Sequence, residues 1–396
     1  MRRFCAILIG LVFFTSGLFK LIDPVGTSLI VKSYLEFFHF GFLSGLSTVL
    51  GFALSLVESI NGLALLAGAY RRLSALVTIG LTAFFTLVTL ILMIAQPEMD
   101  CGCFGEAFHL THTQTFIKNL ILCGLVAGAF IPVPKTSARR NIFLILGAVT
   151  LLVGVYSQFF LPLWDFTDFS AGDRLYDTTH PFPPQKTAEP GFIYEKDGLQ
   201  KEFTLDELPD STWIFVAAAE MPKADTPSNL IPITAPDGAV CDSVLLHGKV
   251  VAISVYEPGK MSSGDWQDAA GLLKSSASCG MRPVLLAASA SEELEKMLEN
   301  LRTEDKIQLL MVTYFSDHKV LMTFNRSNGG VTVLDEGLIV EKWSANNYPS
   351  DKKLQKTASE NPGNLIIQAS VPGRNFLCAF MILAICIALY TYRKRI

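Results

Sequence analysis

Charge is what this sequence has least of. Only 17% of its 396 residues are charged while 50% are hydrophobic, and a soluble protein of this length would carry more charge and less apolar surface. The net charge of −4 is mild and no long basic run occurs, so nothing gives nucleic acid an electrostatic foothold. Also missing is a small-x-small cleavage pattern after the first apolar stretch, which ends Gly17-Leu18-Phe19-Lys20. That stretch therefore reads as a retained span rather than a cleaved signal peptide.

The apolar excess falls in six windows, near 4 to 22, 46 to 69, 73 to 95, 114 to 133, 142 to 163 and 375 to 392. Each is long enough for a helix to cross a hydrocarbon core of ~30 Å. Lys and Arg collect at alternate connections: Arg2 and Arg3, Arg71 and Arg72, Lys135 with Arg139 and Arg140, and Arg393 to Arg395. Because translocated short loops are poor in Lys and Arg, this pattern predicts both termini in the cytoplasm. Trp164 reads as an interfacial anchor. The expected organisation is a four-helix membrane domain over 1–135, a fifth span over 136–164, an extracytoplasmic domain over 165–374, and a sixth span with a basic tail over 375–396.

Within the first external loop, Leu29, Ile30, Tyr34, Phe37 and Phe38 alternate with Lys32, Ser33 and Glu36, the pattern of a short amphipathic helix lying on the outer surface. In the large domain, 165 to 190 reads as an irregular linker around His180-Pro-Phe-Pro-Pro184. A hairpin turning at Asp197-Gly198 is expected over 192 to 203. Strands are expected at 248 to 256, 282 to 288, 307 to 315, 331 to 333 and 338 to 342, with helices at 265 to 278 and 291 to 302. Such alternation predicts a mixed or parallel sheet with helices on its faces.

The chemistry concentrates in Asp100-Cys101-Gly102-Cys103-Phe104-Gly105-Glu106, in the external loop between the third and fourth spans. A Cys-x-Cys ring is small and strained, which favours thiol exchange over bracing, and outside the cytoplasm such a pair meets an oxidising environment. Gly102 permits the tight turn and Gly105 frees the backbone beside it. A structural role for the pair stays open. So does a metal site, since His109 and His112 complete a Cys-x-Cys-x5-His-x2-His string that could hold zinc or copper. Glu58, near the middle of the second span, needs a partner there or must stay protonated, with Asn61, a backbone group or Lys20 as candidates. Lys20 sits near the outer end of the first span and could instead reach the interface. Cys241 and Cys279 could form a disulfide, while Cys5, Cys123, Cys378 and Cys386 fall in spans and read as small core residues.

Residues 8 to 22, Glu58-Ser-Ile-Asn-Gly62 and the Cys-Gly-Cys-Phe-Gly string resemble the DoxX/MauE family of four-span membrane proteins, over about the first third of the chain. The resemblance implies a four-helix bundle and a link to quinone-coupled thiol or thiosulfate oxidation, or to maturation of methylamine dehydrogenase. Glu58, as a carboxylate inside a span, is expected either to line a pocket that accepts a proton or holds a quinone ring or to make a helix-packing hydrogen bond. From 248 onward the element order resembles a thioredoxin fold, with Asn325-Arg-Ser-Asn-Gly-Gly-Val at the segment of that family's cis-proline. Gly329 stands where the proline would be, and Lys260-Met-Ser-Ser263 replaces the Cys-x-x-Cys, so this domain is expected to dock or scaffold rather than exchange disulfides.

The fold expected is thus an α-helical polytopic bundle of about six spans plus an α/β thioredoxin-like extracytoplasmic domain, in a bacterial inner membrane. The function expected is a thiol/disulfide module in which Cys101 and Cys103 pass electrons to a quinone, with an exported protein as partner. Its rivals are a non-enzymatic scaffold or maturation accessory, and a metal-handling protein.

Overall fold

The computed structural model describes residues 2–97, 99, 101–108, 110–135, 140–162, 164–175, 192–196, 199–203, 213–218 and 229–393. Helix α1 (Arg2–Ile22) stops at Asp23-Pro24. Pro24 takes the first position of α2 (Pro24–Phe37), where a missing N–H costs nothing, and the Asp23 carboxylate accepts the Gly26 N–H at 2.9 Å. A short 3-10 segment, Gly41–Leu46, leads into α3 (Ser47–Ala67), which left-handed Gly68 terminates. Next come α4 (Arg71–Ala95), strand β1 (Cys103–Glu106), α5 (His112–Phe130) with a Thr111/Gln114 capping box, and α6 (Arg140–Phe159).

Among the described residues, five helices are long and apolar enough to cross a membrane: α1, the stretch Gly41–Ala67, α4, α5 and α6. The tightest packing joins α1 to α3. A Cβ on Gly17 would lie 2.5 Å from the Ser59 nitrogen, and one on Gly62 2.4 Å from that of Phe14, so only glycine admits this backbone approach.

A three-stranded antiparallel sheet follows, built from β2 (Phe192–Lys196), β3 (Leu199–Phe203) and β4 (Ile214–Ala218) in the order β3-β2-β4. The expected hairpin pairs Lys196 with Leu199; its turn residues, Asp197 and Gly198, lie outside the described residues. The larger sheet comprises β5 (Lys249–Val255), β6 (Arg282–Ala287), β7 (Thr313–Phe315), β8 (Gly330–Asp335) and β9 (Leu338–Trp343). Their order is β7-β6-β5-β8-β9, with β6 and β7 parallel to the β5 side and β8 and β9 antiparallel.

Alternate residues of β5 feed two cores. Val251, Ile253 and Val255 pack with Trp266 and Leu273 of α7 (Ser263–Ser278), whereas Val250 and Ala252 pack with Leu321 and Phe324 on the opposite face. The remaining helices are α8 (Ser291–Met297), α9 (Thr303–Met311), α10 (His318–Phe324), α11 (Asp351–Ser359) and the 32-residue α12 (Pro362–Arg393). The window 375 to 392 falls inside α12, where Phe380 meets Phe14 of α1 at a ring separation of 5.7 Å.

Three sequence expectations are corrected. Residues 307 to 315 are the end of α9 followed by a short strand: Glu304 and Asp305 favour the N-terminus of a helix, and an apolar run this short does not distinguish helix from strand. The helix expected over 291 to 302 ends at Met297. The start of the linker is part of the core, with Phe169 buried edge-on to Phe324 at 5.5 Å.

The α/β region sits directly on the helical bundle. Arg326 donates through Nε to Asp23 at 3.1 Å, with Glu106 3.8 Å away, and all but the Glu106 side chain are nearly inaccessible. Burial opposes the guanidinium's charge, but Asp23, Glu106 and Asp165 outweigh it and raise its pKa. Asn346 donates to the Phe159 carbonyl at 2.6 Å, and Lys342 reaches Asp165, just past α6, at 2.5 Å.

Burial works to raise the Asp165 pKa, but the charge and hydrogen bond of Lys342, with bonds from Thr167, hold it below the ordinary value. A carboxylate depressed in the folded state stabilises above its unfolded pKa of about 3.9, and that contribution disappears as pH falls through the folded value. Thermal unfolding in detergent should therefore show Asp165→Asn less stable than the parent at neutral pH, with the two curves converging below about pH 4. A constant gap across that range would refute the linkage.

Candidate functional site

The near contact of α1 and α3 brings Lys20 and Glu58 face to face. Lys20 Nζ donates to both Glu58 carboxylate oxygens, at 2.8 and 2.9 Å, and the two residues are 6% and 0% exposed. Of the partners open to Glu58, Lys20 is the one it has. Asn61 instead donates to Thr78 at 2.8 Å. Nor does Lys20 reach outward to the interface; its ammonium stays 5.4 Å from the centre of the Phe85 ring.

One turn from Lys20, Ser16 links this pair to the cysteine loop. Its Oγ lies 2.6 Å from the Cys103 carbonyl and 2.8 Å from Glu58 Oε2. A hydroxyl has one hydrogen and here faces two oxygens. It can therefore donate to only one of them at a time.

The loop between α4 and α5 is held at each end. Gly102 and Gly105 both adopt positive φ, +57° and +60°, and a Cβ on Gly102 would fall 2.3 Å from Ile30 Cγ2. Tyr34 donates to the Cys101 carbonyl. Ile30 and Tyr34 both belong to α2, so the amphipathic helix expected on the outer surface covers the cysteine loop.

Cys101 is buried and Cys103 half-buried, and the two are not joined in a disulfide. Cys101 Sγ lies 2.9 Å from His112 Nδ1, and His112 Nε2 lies 3.0 Å from the Pro97 carbonyl. A carbonyl only accepts, so Nε2 carries the hydrogen and Nδ1 is left to receive the proton of the Cys101 thiol.

These groups open on one cavity of about 470 Å³, enclosed by α1 to α5. Cys101, Gly102, Cys103, Ser16, Lys20 and Glu58 line it together with Phe13, Phe38, Phe84, Phe85 and Val88. Among the rim residues, Phe84 and Leu87 of α4 are more than half exposed on the outer face of the bundle.

The structure therefore gathers Cys101, Cys103, Gly102, Gly105, Lys20 and Glu58 into one site. Cys241 and Cys279 it keeps apart, on opposite faces of the large sheet and in different cores. His109 lies outside the described residues, and among the described residues no group of three metal-ligating side chains converges. Three participants escaped the sequence reading: Ser16, Tyr34, and His112 as a thiol partner. Ser16 was within reach, being four residues before Lys20 on the same helical face.

Residues 2–132 match the family described as methylamine utilisation protein MauE, and residues 189–220 match a domain of unknown function, DUF8463. Protein TlpB of Flavobacterium psychrophilum is 27% identical over 181 residues, covering 44% of this chain and 49% of that protein. The chain thus spans about half the length of the curated relative it matches. No solved structure matches it.

A buried charge stripped of its partner is costly. Glu58→Ala should lower stability in detergent by about 3–5 kcal/mol, while the double change Lys20→Met with Glu58→Leu should recover most of that loss. A single-variant cost below about 1 kcal/mol in denaturant titration would mean that the pair is solvated.

Proposed function

We propose that this membrane protein is a thiol/disulfide oxidoreductase whose Cys101–Cys103 pair hands electrons to a lipophilic quinone held in the α1–α5 cavity. One observation carries the reading: both cysteines and a buried Lys–Glu pair border a single aromatic-lined cavity at the edge of the bundle, and behind Cys101 a histidine lies within hydrogen-bond distance of its sulfur. Its volume and apolar walls suit a ring of that class, and the Lys20 ammonium, with three hydrogens, lines the cavity as a donor for a ring oxygen. When bound, a quinone accepts two electrons and two protons.

The exchange balances in two stages. In the first, a thiolate of the partner attacks Cys103, the more accessible sulfur, and the S–S bond to Cys101 breaks. The second partner thiol then releases Cys103, leaving the partner oxidised and both cysteines reduced. In the second stage the two thiols would re-form the Cys101–Cys103 disulfide and release two electrons and two protons, the complement that a quinone held in the cavity would take up. His112 would receive the Cys101 proton, and the Ser16–Glu58–Lys20 cluster at the cavity wall would receive that of Cys103.

The α/β region supports this chemistry without performing it. Its strand order β7-β6-β5-β8-β9, with α7 after β5 and an antiparallel β8–β9 hairpin, favours the thioredoxin-like reading. Met261, where that family has its thiols, packs near Gly329 instead. Asn328 exchanges two hydrogen bonds of 2.9 Å with the backbone of Glu257 and closes the two loops on each other. Arg326, three residues before Gly329, grips the bundle through Asp23 beside β1. The domain is a brace for the cysteine loop, and the missing thiols favour an accessory role as the second reading for the protein as a whole.

Trapping with a mass-adding maleimide in intact membranes tests the reading. Cys101 and Cys103 should be oxidised in quinone-replete cells and accumulate as dithiol in quinone-depleted ones; one unchanging state under both conditions would favour the accessory role. His112→Ala should slow re-oxidation of the pair by about 10²-fold or more. Glu58→Gln should slow it too, and an unchanged rate in that variant would remove the proton-holding cluster from the scheme.

A further inference from the structure

We infer that the α1–α5 cavity is loaded sideways from the bilayer, and that Phe40, Phe84, Leu87 and Ile91 form a mouth that holds the prenyl tail of its quinone. This rests on the function proposed above and adds to it a part of the site that takes no part in the exchange itself. The cavity lining is sorted by exposure. Among the described residues that line it, the exposed ones are Phe40, Phe84, Leu87 and Ile91, between 37% and 58% accessible, and all four are apolar. The polar groups that line it, Lys20, Glu58, Asn119, Tyr34 and the two cysteines among them, are buried or half-buried. An opening toward water would carry polar side chains at its edge, whereas an edge of two phenylalanines, a leucine and an isoleucine opens onto acyl chains.

The place of the mouth on α4 ties it to the same ligand. Phe84, Leu87 and Ile91 recur at helical spacing and form one stripe along α4, about 10 Å long at a rise of about 1.5 Å per residue. Helix α4 is among those long and apolar enough to cross a membrane, so an exposed stripe on it meets lipid. Phe85, the neighbour of Phe84, turns inward: the Lys20 ammonium lies 5.4 Å from the centre of its ring, and that ring is 5.7 Å from the ring of Phe84. Two adjacent rings thus connect the buried charge pair to the lipid-facing edge. A quinone with an oxygen on Lys20 lies beside Phe85, and its tail has an apolar path past Phe84 and Leu87 into the bilayer. The ring then occupies the part of the cavity that holds the polar groups, while the tail remains where no polar group must be desolvated.

The test is photoaffinity labelling of the full-length protein in lipid vesicles, using a farnesyl-substituted benzoquinone with a diazirine either on the ring or at the end of the tail, read by peptide mass spectrometry. The ring probe should label the peptides that contain Lys20 and the Cys101–Cys103 loop. The tail probe should label the Phe84–Ile91 stretch about fivefold or more above the comparably exposed Leu144, Ile145 and Leu152 of α6, and excess unlabelled farnesyl-benzoquinone should displace that label. Farnesol with the same diazirine, a tail without a ring, should label the two helices alike. Leu87→Trp, which narrows the mouth without adding charge, should reduce the displaceable label about fivefold. Equal labelling of α4 and α6 by the tail probe, or label on α4 that unlabelled quinone does not displace, would overturn the mouth and leave the ring site standing. Absence of displaceable ring label in the cavity would overturn the quinone reading itself, and the mouth with it.

Discussion

The ion pair between Lys20 and Glu58 is the constraint around which the bundle is arranged. Two charges removed from water are stable only when their geometry is good and their remaining hydrogen-bonding capacity is filled. Here the carboxylate takes both oxygens to one ammonium and extends one of them to Ser16. That geometry requires α1 and α3 to lie closer than side chains normally permit, which Gly17 and Gly62 allow. The same closeness fixes Ser16 against the Cys103 carbonyl, so the cysteine loop takes its position from a charge pair in the helices below it.

A second charge pair performs the corresponding task from above. Asp23 starts α2 by accepting the Gly26 N–H and, with its other oxygen, receives Arg326 from a loop 303 residues away. Local and tertiary structure therefore depend on one carboxylate. Helix α2 can cover the cysteine loop only if its start is fixed, and its start is fixed where the α/β region lands. Ile30 over Gly102 and Tyr34 on Cys101 follow from that placement.

How much of this the sequence disclosed depends on the range of the interaction. Span lengths, the cysteine loop and the alternation of strands with helices are local patterns, and they were legible. The amphipathy of α2 was legible as well, but an apolar face reads the same whether it meets lipid or another part of the chain, so its role as a cover was not. Residues 307 to 315 misled because so short an apolar run suits either period. The contact of Cys101 with His112 depends on a loop path that spacing alone does not fix, and Arg326 with Asp23 on docking of two regions far apart in sequence. Glu58 was recognisable as a residue in need of a partner; which of its candidates would serve depended on how α1 packs on α3.

The chemistry proposed for the cavity explains why a charge pair belongs there at all. An apolar cavity penalises any step that leaves net charge behind. Moving two electrons from sulfur to a lipophilic acceptor is therefore tolerable only if protons travel with them. In the proposed scheme His112 beside Cys101 takes the thiol proton and the Ser16–Glu58–Lys20 cluster receives the other. Two neutral residues at the charged positions would be less costly to bury, yet they would offer no such acceptor. The Lys–Glu pair is close to neutral overall, which lowers the cost of placing charged groups beside an apolar cavity.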